Sequence, residues 1–268
     1  GKKNISDRIH DKIWEVFGVE VGMAEGKNST ATARSDGAKE LGLITVGDLD
    51  AQAYSGESIA ALFEGVTATI SGNAELTAQS NAKAVGTGFV PGAAGIGTGT
   101  IATTKANVGS RNQAQSVMVV IGEEAALTAG EVSMTAVNTG YAEASVDCDQ
   151  TVALLANVNK SSQPTESWYD TLITVGKGAK ITATKGNVNL LSVDSPTAKS
   201  EVVSSGFSVG INYNHMKGQN GIIQENNIDI VEEASITAEK DVRIEAWQST
   251  QATASTKYDG KGIVVSRD

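Results

Sequence analysis

The stretch Gly122-Glu-Glu-Ala-Ala-Leu-Thr-Ala129 decides the fold, because close variants of it occur three more times in the chain. The other copies are at residues 72–78, 176–183 and 231–238. The copies share an aligned aliphatic residue, which is Leu76, Leu127, Ile181 or Ile236. These residues are 51, 54 and 55 positions apart. A nearly constant period of this length predicts an array of similar units that stack and share a core.

Short runs of alternating apolar and polar residues flank each copy. Val117-x-Val119-x-Ile121 precedes the second copy, and Val132-x-Met134-x-Ala136 follows it. Alternation with a period of two predicts strands with one buried face. The turns between the runs consist of Gly, Asn, Asp, Lys and Glu and vary in length, which favours a surface position.

Further alternating runs bring each repeat to five or six strands, too many for one three-sided coil. We therefore interpret each repeat of about 50–55 residues as two coils. The spacing between Val46 and Ile70, about half the period, agrees with this interpretation. The sequence predicts an all-β, right-handed parallel β-helix, or solenoid, forming a rod about 40–60 Å long. An antiparallel β-sandwich or barrel is the alternative.

The first residues differ from the repeats and predict a short helix. Ser6 is suited to its N-cap and Gly18 to its C-terminal stop. An apolar stripe at helical spacing comprises Ile9, Ile13 and Phe17. We expect residues 1–18 to form a helical cap over the solenoid end, or a docking helix for a neighbour. Residues 19–268 are expected to form the β-helix domain.

Composition narrows the function classes. A net charge of −10 and a pI near 4.8 argue against nucleic-acid partners and against binding to anionic membranes. No apolar run is long enough for a transmembrane helix, so no membrane insertion is expected. Cys148 is the single cysteine and cannot form an internal disulfide. Its neighbours Asp147 and Asp149 would raise the thiol pKa, which predicts a buried or unreactive thiol.

The sequence offers little catalytic chemistry. His10 and His215 have no Cys or His partner at metal-ligand spacing. The glycine-rich residues 92–99 match no phosphate-binding pattern and predict a loop between strands. The acidic pairs Glu123-Glu124 and Glu232-Glu233 recur at equivalent turns, which is typical of a solvated surface. We expect no catalytic residue, no metal and no cofactor. A polysaccharide-degrading β-helix, which would need a carboxyl pair at one groove, remains the alternative.

Two irregular segments predict recognition loops, at residues 157–170 and 213–226. Aromatic side chains among adaptable polar groups are typical of contact surfaces. The candidate recognition residues are Trp168, Tyr169, Tyr213, His215 and Met216. Packing of Trp168 and Tyr169 against a flank of the solenoid is the alternative.

Residues 122–136 and 176–190, together with Gly206-Phe-Ser-Val-Gly210, resemble the repeats of large filamentous haemagglutinin-like and leukotoxin-type surface exoproteins of Gram-negative bacteria. The resemblance covers about residues 66–268. It implies a right-handed β-helix, exported to the bacterial cell surface, with a role in adhesion or fibre formation and no active site.

These observations together predict a non-enzymatic segment of a bacterial cell-surface adhesin or extracellular fibre, with a rigid stalk and recognition loops. The expected partners are other copies of the chain, adjoining segments of a longer chain, or a host-cell or glycan receptor. The alternatives are a filament subunit that polymerises through its solenoid ends and a polysaccharide-binding or polysaccharide-degrading β-helix.

Overall fold

A computed structural model describes residues 29–37, 41–262 and 265–267. Within these residues the fold is all-β, with nineteen strands and no helix. All pairings between the named strands are parallel, which excludes the antiparallel sandwich for this part of the chain. The predicted helix with Ile9, Ile13 and Phe17 lies outside the described residues.

The chain follows the same course four times, and we call each passage a tier. The first tier contains β1 (Thr30–Asp36), β2 (Leu41–Ser55), β3 (Ser58–Phe63), β4 (Thr67–Thr69) and β5 (Ala74–Ser80). The second contains β6 (Lys83–Val90), β7 (Ala94–Val108), β8 (Gln115–Ile121), β9 (Ala126–Ala129) and β10 (Val132–Asn138). Because β7 begins at Ala94, most of the glycine-rich stretch predicted to be a loop is strand.

The later tiers have fewer but longer strands. The third contains β11 (Tyr141–Val175), β12 (Lys180–Ala183) and β13 (Val188–Asp194). The fourth contains β14 (Thr197–Ser208), β15 (Ile211–Ile230), β16 (Ser235–Ala238) and β17 (Val242–Gln248). Two further strands, β18 (Gln251–Gly262) and β19 (Val265–Arg267), pair with the fourth tier.

Each strand pairs with its equivalent one tier later. A single column of paired residues, each one full repeat after the last, runs through Thr30, Lys83, Tyr141, Thr197 and Gln251. Val46 pairs with Gly99, and no pairing of the described strands joins Val46 to Ile70. The two-coil repeat was therefore wrong, since one repeat makes one tier. Five rows span about 20 Å at the usual strand spacing, half or less of the predicted rod length.

The strand register also shows that one copy of the repeated stretch, residues 72–78, was aligned with the wrong strand. Leu127 pairs with Ile181, and Ile181 pairs with Ile236, as expected. In the first tier, however, the residue that pairs with Leu127 is Ala68 and not Leu76. Leu76 pairs with Met134 in the neighbouring sheet. Both sheets line the same apolar core, so the short pattern of an aliphatic residue followed by Thr and Ala fits either one.

An apolar core lies where three sheets meet. Its side chains come from β5, β8, β9, β10, β12 and β13, together with the end of β11. Ile121, Leu127, Met134, Ile181 and Leu190 are among its fully buried members. Along β8, β9 and β12 the core side chains alternate with less buried residues, as the period-two pattern predicts. Every residue of β13 is buried.

The remaining half of each tier forms a thin arm. Strands β1, β6, the start of β11 and β14 pack against the returning strands β2, β7, the middle of β11 and β15. The interior is lined by small residues such as Ala84, Ala106 and Ala144. At Gly86 a Cβ atom would lie 2.6 Å from the Lys105 carbonyl oxygen on the facing strand, so only glycine allows this approach. The close approach accounts for a chain with 4% aromatic residues.

The two predicted recognition loops are strands. Residues 157–170 lie in β11 and residues 213–226 in β15, paired residue by residue from Ala156 with Ile211 to Val175 with Ile230. The loop prediction was wrong because it took Asn, Ser and Gln as signs of solvent exposure. In this arm those residues point inward in alternation, and Asn157 and Asn159 hydrogen-bond to the equivalent Asn side chains one tier later.

Candidate functional site

The five predicted recognition residues do not form one site. Tyr213 and His215 are exposed, Met216 and Trp168 are partly buried, and Tyr169 is 2% exposed. Tyr213 pairs with Val158, which lies about 33 Å before Trp168 along the same strand. Only Tyr213 and His215 therefore remain freely accessible to a partner.

Tyr169 is a packing residue of the arm. Its ring lies so close to Gly140 that a Cβ atom there would be 2.2 Å from the ring carbon Cε1. Burial, opposed only in part by the Ser167 hydroxyl, raises the pKa of the Tyr169 hydroxyl well above its usual range. The Tyr169 side chain is therefore unavailable to a partner, which agrees with the packing alternative for this residue.

The outer face of the arm has a groove of about 410 Å³. It crosses the tiers, because Asp36, Phe89, Asp147 and Val203 occupy one column of paired residues. Arg34 and Glu201 complete its polar lining, and both Arg34 Nε contacts to the Asp36 carboxylate oxygens are 3.0 Å. An aromatic ring among carboxylates and a guanidinium can stack on a sugar ring and hydrogen-bond its hydroxyls. Sequence analysis missed the groove, because its residues come together only once the tiers are in register.

A charged network lies beside the groove. Lys199 Nζ is 2.9 Å from Glu143 and 2.8 Å from Glu201, and the Tyr141 hydroxyl donates a 2.6 Å bond to Glu143. Burial, reinforced by Glu143, raises the pKa of Tyr141 to about 12. Burial alone would raise the pKa of Glu143, but the bonds from Tyr141 and Lys199 lower it on balance. The Lys199 ion pairs are partly solvated, so they contribute little to stability. Their main effect is to hold the side chains that border the groove in place.

Inside the arm, polar side chains form a ladder across the tiers. The Thr98 hydroxyl donates to Asn157 Oδ1 at 2.9 Å, and Asn157 Nδ2 donates to Asn212 Oδ1 at 3.0 Å. A parallel rung joins Asn159 Nδ2 to Asn214 Oδ1 at 2.9 Å. Stacked amides of this kind satisfy one another only when the tiers are in register.

A second polar column separates the apolar core from the arm: Ser80, Asn138, Asp194 and Gln248. Asn138 Nδ2 donates to the Gln115 carbonyl at 3.0 Å, and Gln248 Nε2 donates to the Gln224 carbonyl at 3.4 Å. Asp194 is fully buried, and neither of its carboxylate oxygens has a hydrogen-bond partner. Burial, with a smaller contribution from Asp170, raises the pKa of Asp194 to about 7.

The repeated acidic pairs have a structural explanation. Glu124 and Glu233 have φ angles of 56° and 64°, in the left-handed region. Gly178 at the equivalent turn has a φ of 67°. The turn is closed by a bond from the amide of Ala125 to the carbonyl of Gly122, and the other two turns have the equivalent bond. Glu124 and Glu233 are exposed, as predicted for a solvated turn surface.

Cys148 lies inside the arm beside Leu49, Val90 and Val146. Burial, and then the charges of Asp147 and Asp149, raise the pKa of its thiol to about 12. The predicted buried thiol is confirmed. The described part of the chain contains no group of three or more His, Cys, Asp or Glu residues arranged to hold a metal ion.

Comparison of the chain with known protein families, with curated proteins and with solved structures found no match. The part of the chain that the structure describes also contains no helix long and apolar enough to cross a membrane.

Proposed function

We propose that this chain is a structural segment of a bacterial cell-surface adhesin or extracellular fibre, built as a right-handed parallel β-solenoid. One observation carries the proposal, the continuous column of paired residues that passes through every tier from Thr30 to Gln251. An array of this kind grows in length by adding tiers and leaves its cross-section unchanged. The resemblance of residues 66–268 to filamentous surface exoproteins agrees with this role.

Rigidity follows from how the tiers are joined. Each tier shares backbone hydrogen bonds with its neighbours in three sheets, and the buried amide ladder repeats the same register in the arm. Sliding one tier by a single residue would break both sets of bonds and turn the buried face outward. A stalk needs this resistance to shear.

The stalk role is tested by pulling the chain from its ends in a single-molecule force experiment. We expect stepwise unfolding, with each step releasing one tier of about 55 residues, or about 200 Å of extended chain. Unfolding of the whole chain in one event at low force would contradict the proposed stalk.

Recognition in this proposal belongs to the outer faces of the arm rather than to loops. The groove around Phe89 is the best candidate for a glycan, because Arg34, Asp36, Asp147 and Glu201 border the aromatic ring. We expect beads coated with the chain to bind glycan-bearing cells or an array of bacterial and host glycans. Phe89→Ala should reduce that binding at least several-fold, while Asn227→Ala, an exposed change on another strand, should leave it unchanged. Equal loss with both variants, or no binding by the unaltered chain, would exclude the groove as the recognition site.

End-to-end polymerisation is the second candidate function, and a specific exposure favours it. Val242 and Ile244 in β17 are 43% and 46% exposed, whereas the residues they pair with, Val188 and Leu190, are fully buried. Among the described strands β17 pairs only with β13, so its apolar inner face and its other edge could receive the first tier of another copy. Electron microscopy should then show filaments that Ile244→Lys abolishes. Filaments that persist in this variant would count against stacking through β17.

A further inference from the structure

A band of apolar side chains lies on the outer face of the returning strands of the arm. It consists of Ile44, Val46, Leu155, Val158, Ile211 and Tyr213, which we call the apolar band. These side chains are 42–80% exposed. Ile44 and Ile211 share one column, and Val46, Val158 and Tyr213 share the next. Leu155 lies beside them, where the register of β11 against β7 shifts between Ala153 and Ala156.

The band is a lateral surface and not an end of the stack. Leu155 and Val158 belong to β11, which is paired with β7 on one side and with β15 on the other. Their exposure, 65% and 44%, therefore persists within the stack. A contiguous apolar patch on the flank of a protein marks a contact surface.

The second tier forms a trough across the band. Gly97 lies between Ile44 and Ala156 in one column, and Gly99 lies between Val46 and Val158 in the next. The glycines have no side chains, so Val46 and Val158 stand above Gly99 on its two sides, while Ile44 and the smaller Ala156 flank Gly97. In a copy inverted along the stack, Val158 lies opposite Gly99, and the apolar residues of the first tier lie opposite those of the fourth.

Charges beside the band change sign along the stack. Asp48 and Asp50 lie in the first tier, and Lys217 occupies the column of Asp50 in the fourth tier. All three side chains are exposed. A copy inverted along the stack would bring the acidic end of one face to the basic end of the other.

We propose that the apolar band is a self-association surface, on which a second copy of the chain packs after a half-turn about an axis parallel to the strands. This operation places the first tier opposite the fourth and the second opposite the third. Val158 of one copy then enters the trough at Gly99 of the other, and Asp50 faces Lys217. The contact uses the same patch on both copies, so it closes as a dimer and leaves both ends of the stack free.

The size of the band sets the expected affinity. From the column of Ile44 to that of Asp50 the contact extends about 20 Å along the strands, and the four tiers extend it about 19 Å across them, so it covers about 400 Å² on each copy. A standard stable interface covers about 800 Å² on each partner, so we expect a weak, reversible dimer with a dissociation constant in the micromolar range. In a surface fibre, such contacts would join neighbouring stalks side by side.

Sedimentation velocity of the full chain across the micromolar concentration range tests the proposal. We expect a monomer–dimer equilibrium with no larger species. Leu155→Asp should abolish the dimer, because it places a charge in the apolar band. Asp50→Lys and Lys217→Asp should each weaken the dimer on the order of tenfold by opposing like charges. Asn227→Ala, on the same strand as Lys217 but outside the band, should have no effect.

The double variant Asp50→Lys with Lys217→Asp gives the decisive measurement, because the exchange restores opposite charges across the interface. We expect its dissociation constant to return to within about threefold of the original, which a folding defect in either single variant could not produce. A double variant as weak as the single ones would overturn the proposal. So would a chain that is monomeric throughout, or an open-ended series that Ile244→Lys blocks and Leu155→Asp does not. Flotation of the chain with phosphatidylcholine vesicles, in the absence of a dimer, would assign the band to lipid instead.

Discussion

Asn157 donates a 3.0 Å hydrogen bond from its side-chain amide to the side-chain oxygen of Asn212, the residue that occupies the same position one tier later. Both side chains are fully buried. Thr98, at the same position one tier earlier, donates to the side-chain oxygen of Asn157. The three residues thus form a continuous polar ladder through three tiers. Such a ladder makes the register of the arm costly to change, because a shift would leave buried polar atoms without partners.

Substitution of Asn157 by Ala should destabilise the protein strongly. The change removes the acceptor of the buried Thr98 hydroxyl and one of the two donors to the Asn212 oxygen, the other being Asn214 Nδ2 at 3.3 Å. We expect a loss of about 2–4 kcal/mol in the free energy of unfolding. Urea denaturation followed by circular dichroism measures it. The matched control is Asn227→Ala, because Asn227 is exposed on β15 and should change stability by less than about 0.5 kcal/mol. Equal effects of the two substitutions would argue against a buried ladder.

The left-handed turns predict stabilising substitutions. Glu124→Gly and Glu233→Gly should each raise the free energy of unfolding by about 0.5–1 kcal/mol, because a non-glycine residue at positive φ is strained. Gly178→Ala at the equivalent turn is the reciprocal control and should lower it by about 1 kcal/mol. Thermal unfolding measures all three variants. If the two glutamate variants melt below the original chain, the left-handed conformation at these turns is contradicted.

Asp194 predicts a specific dependence of stability on pH. Its pKa rises from 3.8 to about 7 on folding, so the folded protein binds more protons than the unfolded chain between these values. The stability contribution of this group is therefore complete below about pH 4, falls as pH rises, and is lost above about pH 7. The charges that face it come from Asp170 on β11, whose own pKa is raised by burial and by Glu225 on β15.

Substitution of Asp194 by Asn should remove that dependence. An amide occurs at the paired position Asn138, where it donates to the backbone carbonyls of Gln115 and Asp170. We expect Asp194→Asn to raise the free energy of unfolding by a few kcal/mol at pH 8 and to change it little at pH 4.5. Urea unfolding across this range measures both. Asp229→Asn, at an exposed position, is the control, and the same pH profile in both variants would exclude Asp194 as its source.

The thiol of Cys148 should be inert in the folded protein. Its pKa of about 12 leaves almost no thiolate at pH 8, and the side chain is buried between the two sides of the arm. Mass spectrometry measures the rate at which iodoacetamide alkylates this thiol. We expect that rate to be limited by the rate at which the arm opens. Complete modification at the rate of a free thiol under native conditions would show that this part of the arm is open to solvent.

The sequence predicts part of this fold from a clear physical signal. The strands around Leu127, Ile181 and Ile236 must bury one face in a shared core, so their alternation and period appear directly in the residues. The same signal places Glu124 and Glu233 on exposed turns. Parallel pairing follows because similar units stack in the same orientation.

The arm could not be predicted in the same way. Two runs of strands can stack as successive coils, or they can fold against each other within one tier. Tertiary contacts, such as the approach of Gly86 to Lys105, decide between these arrangements. Residues 157–170 carry Asn, Ser and Gln at alternating buried positions, where apolar residues would normally indicate a strand. The hydrogen-bond partners of Asn157 and Asn159 lie a full repeat away along the chain, so bonding across tiers has no local signature. The groove around Phe89 was missed for the same reason.

Disulfide cross-linking tests the central claim, that one repeat of the sequence forms one tier. In a Cys148→Ser background, cysteines replace Thr87 and Ser145, which pair directly although they belong to successive tiers. A second variant carries cysteines at Val46 and Ile70, which both belong to the first tier and would be neighbours only if each repeat made two coils. Paired residues on adjacent strands lie about 4.8 Å apart, within reach of a disulfide. We predict rapid oxidation of the 87–145 pair and none of the 46–70 pair; the opposite result would contradict the tiered fold on which the proposed function depends.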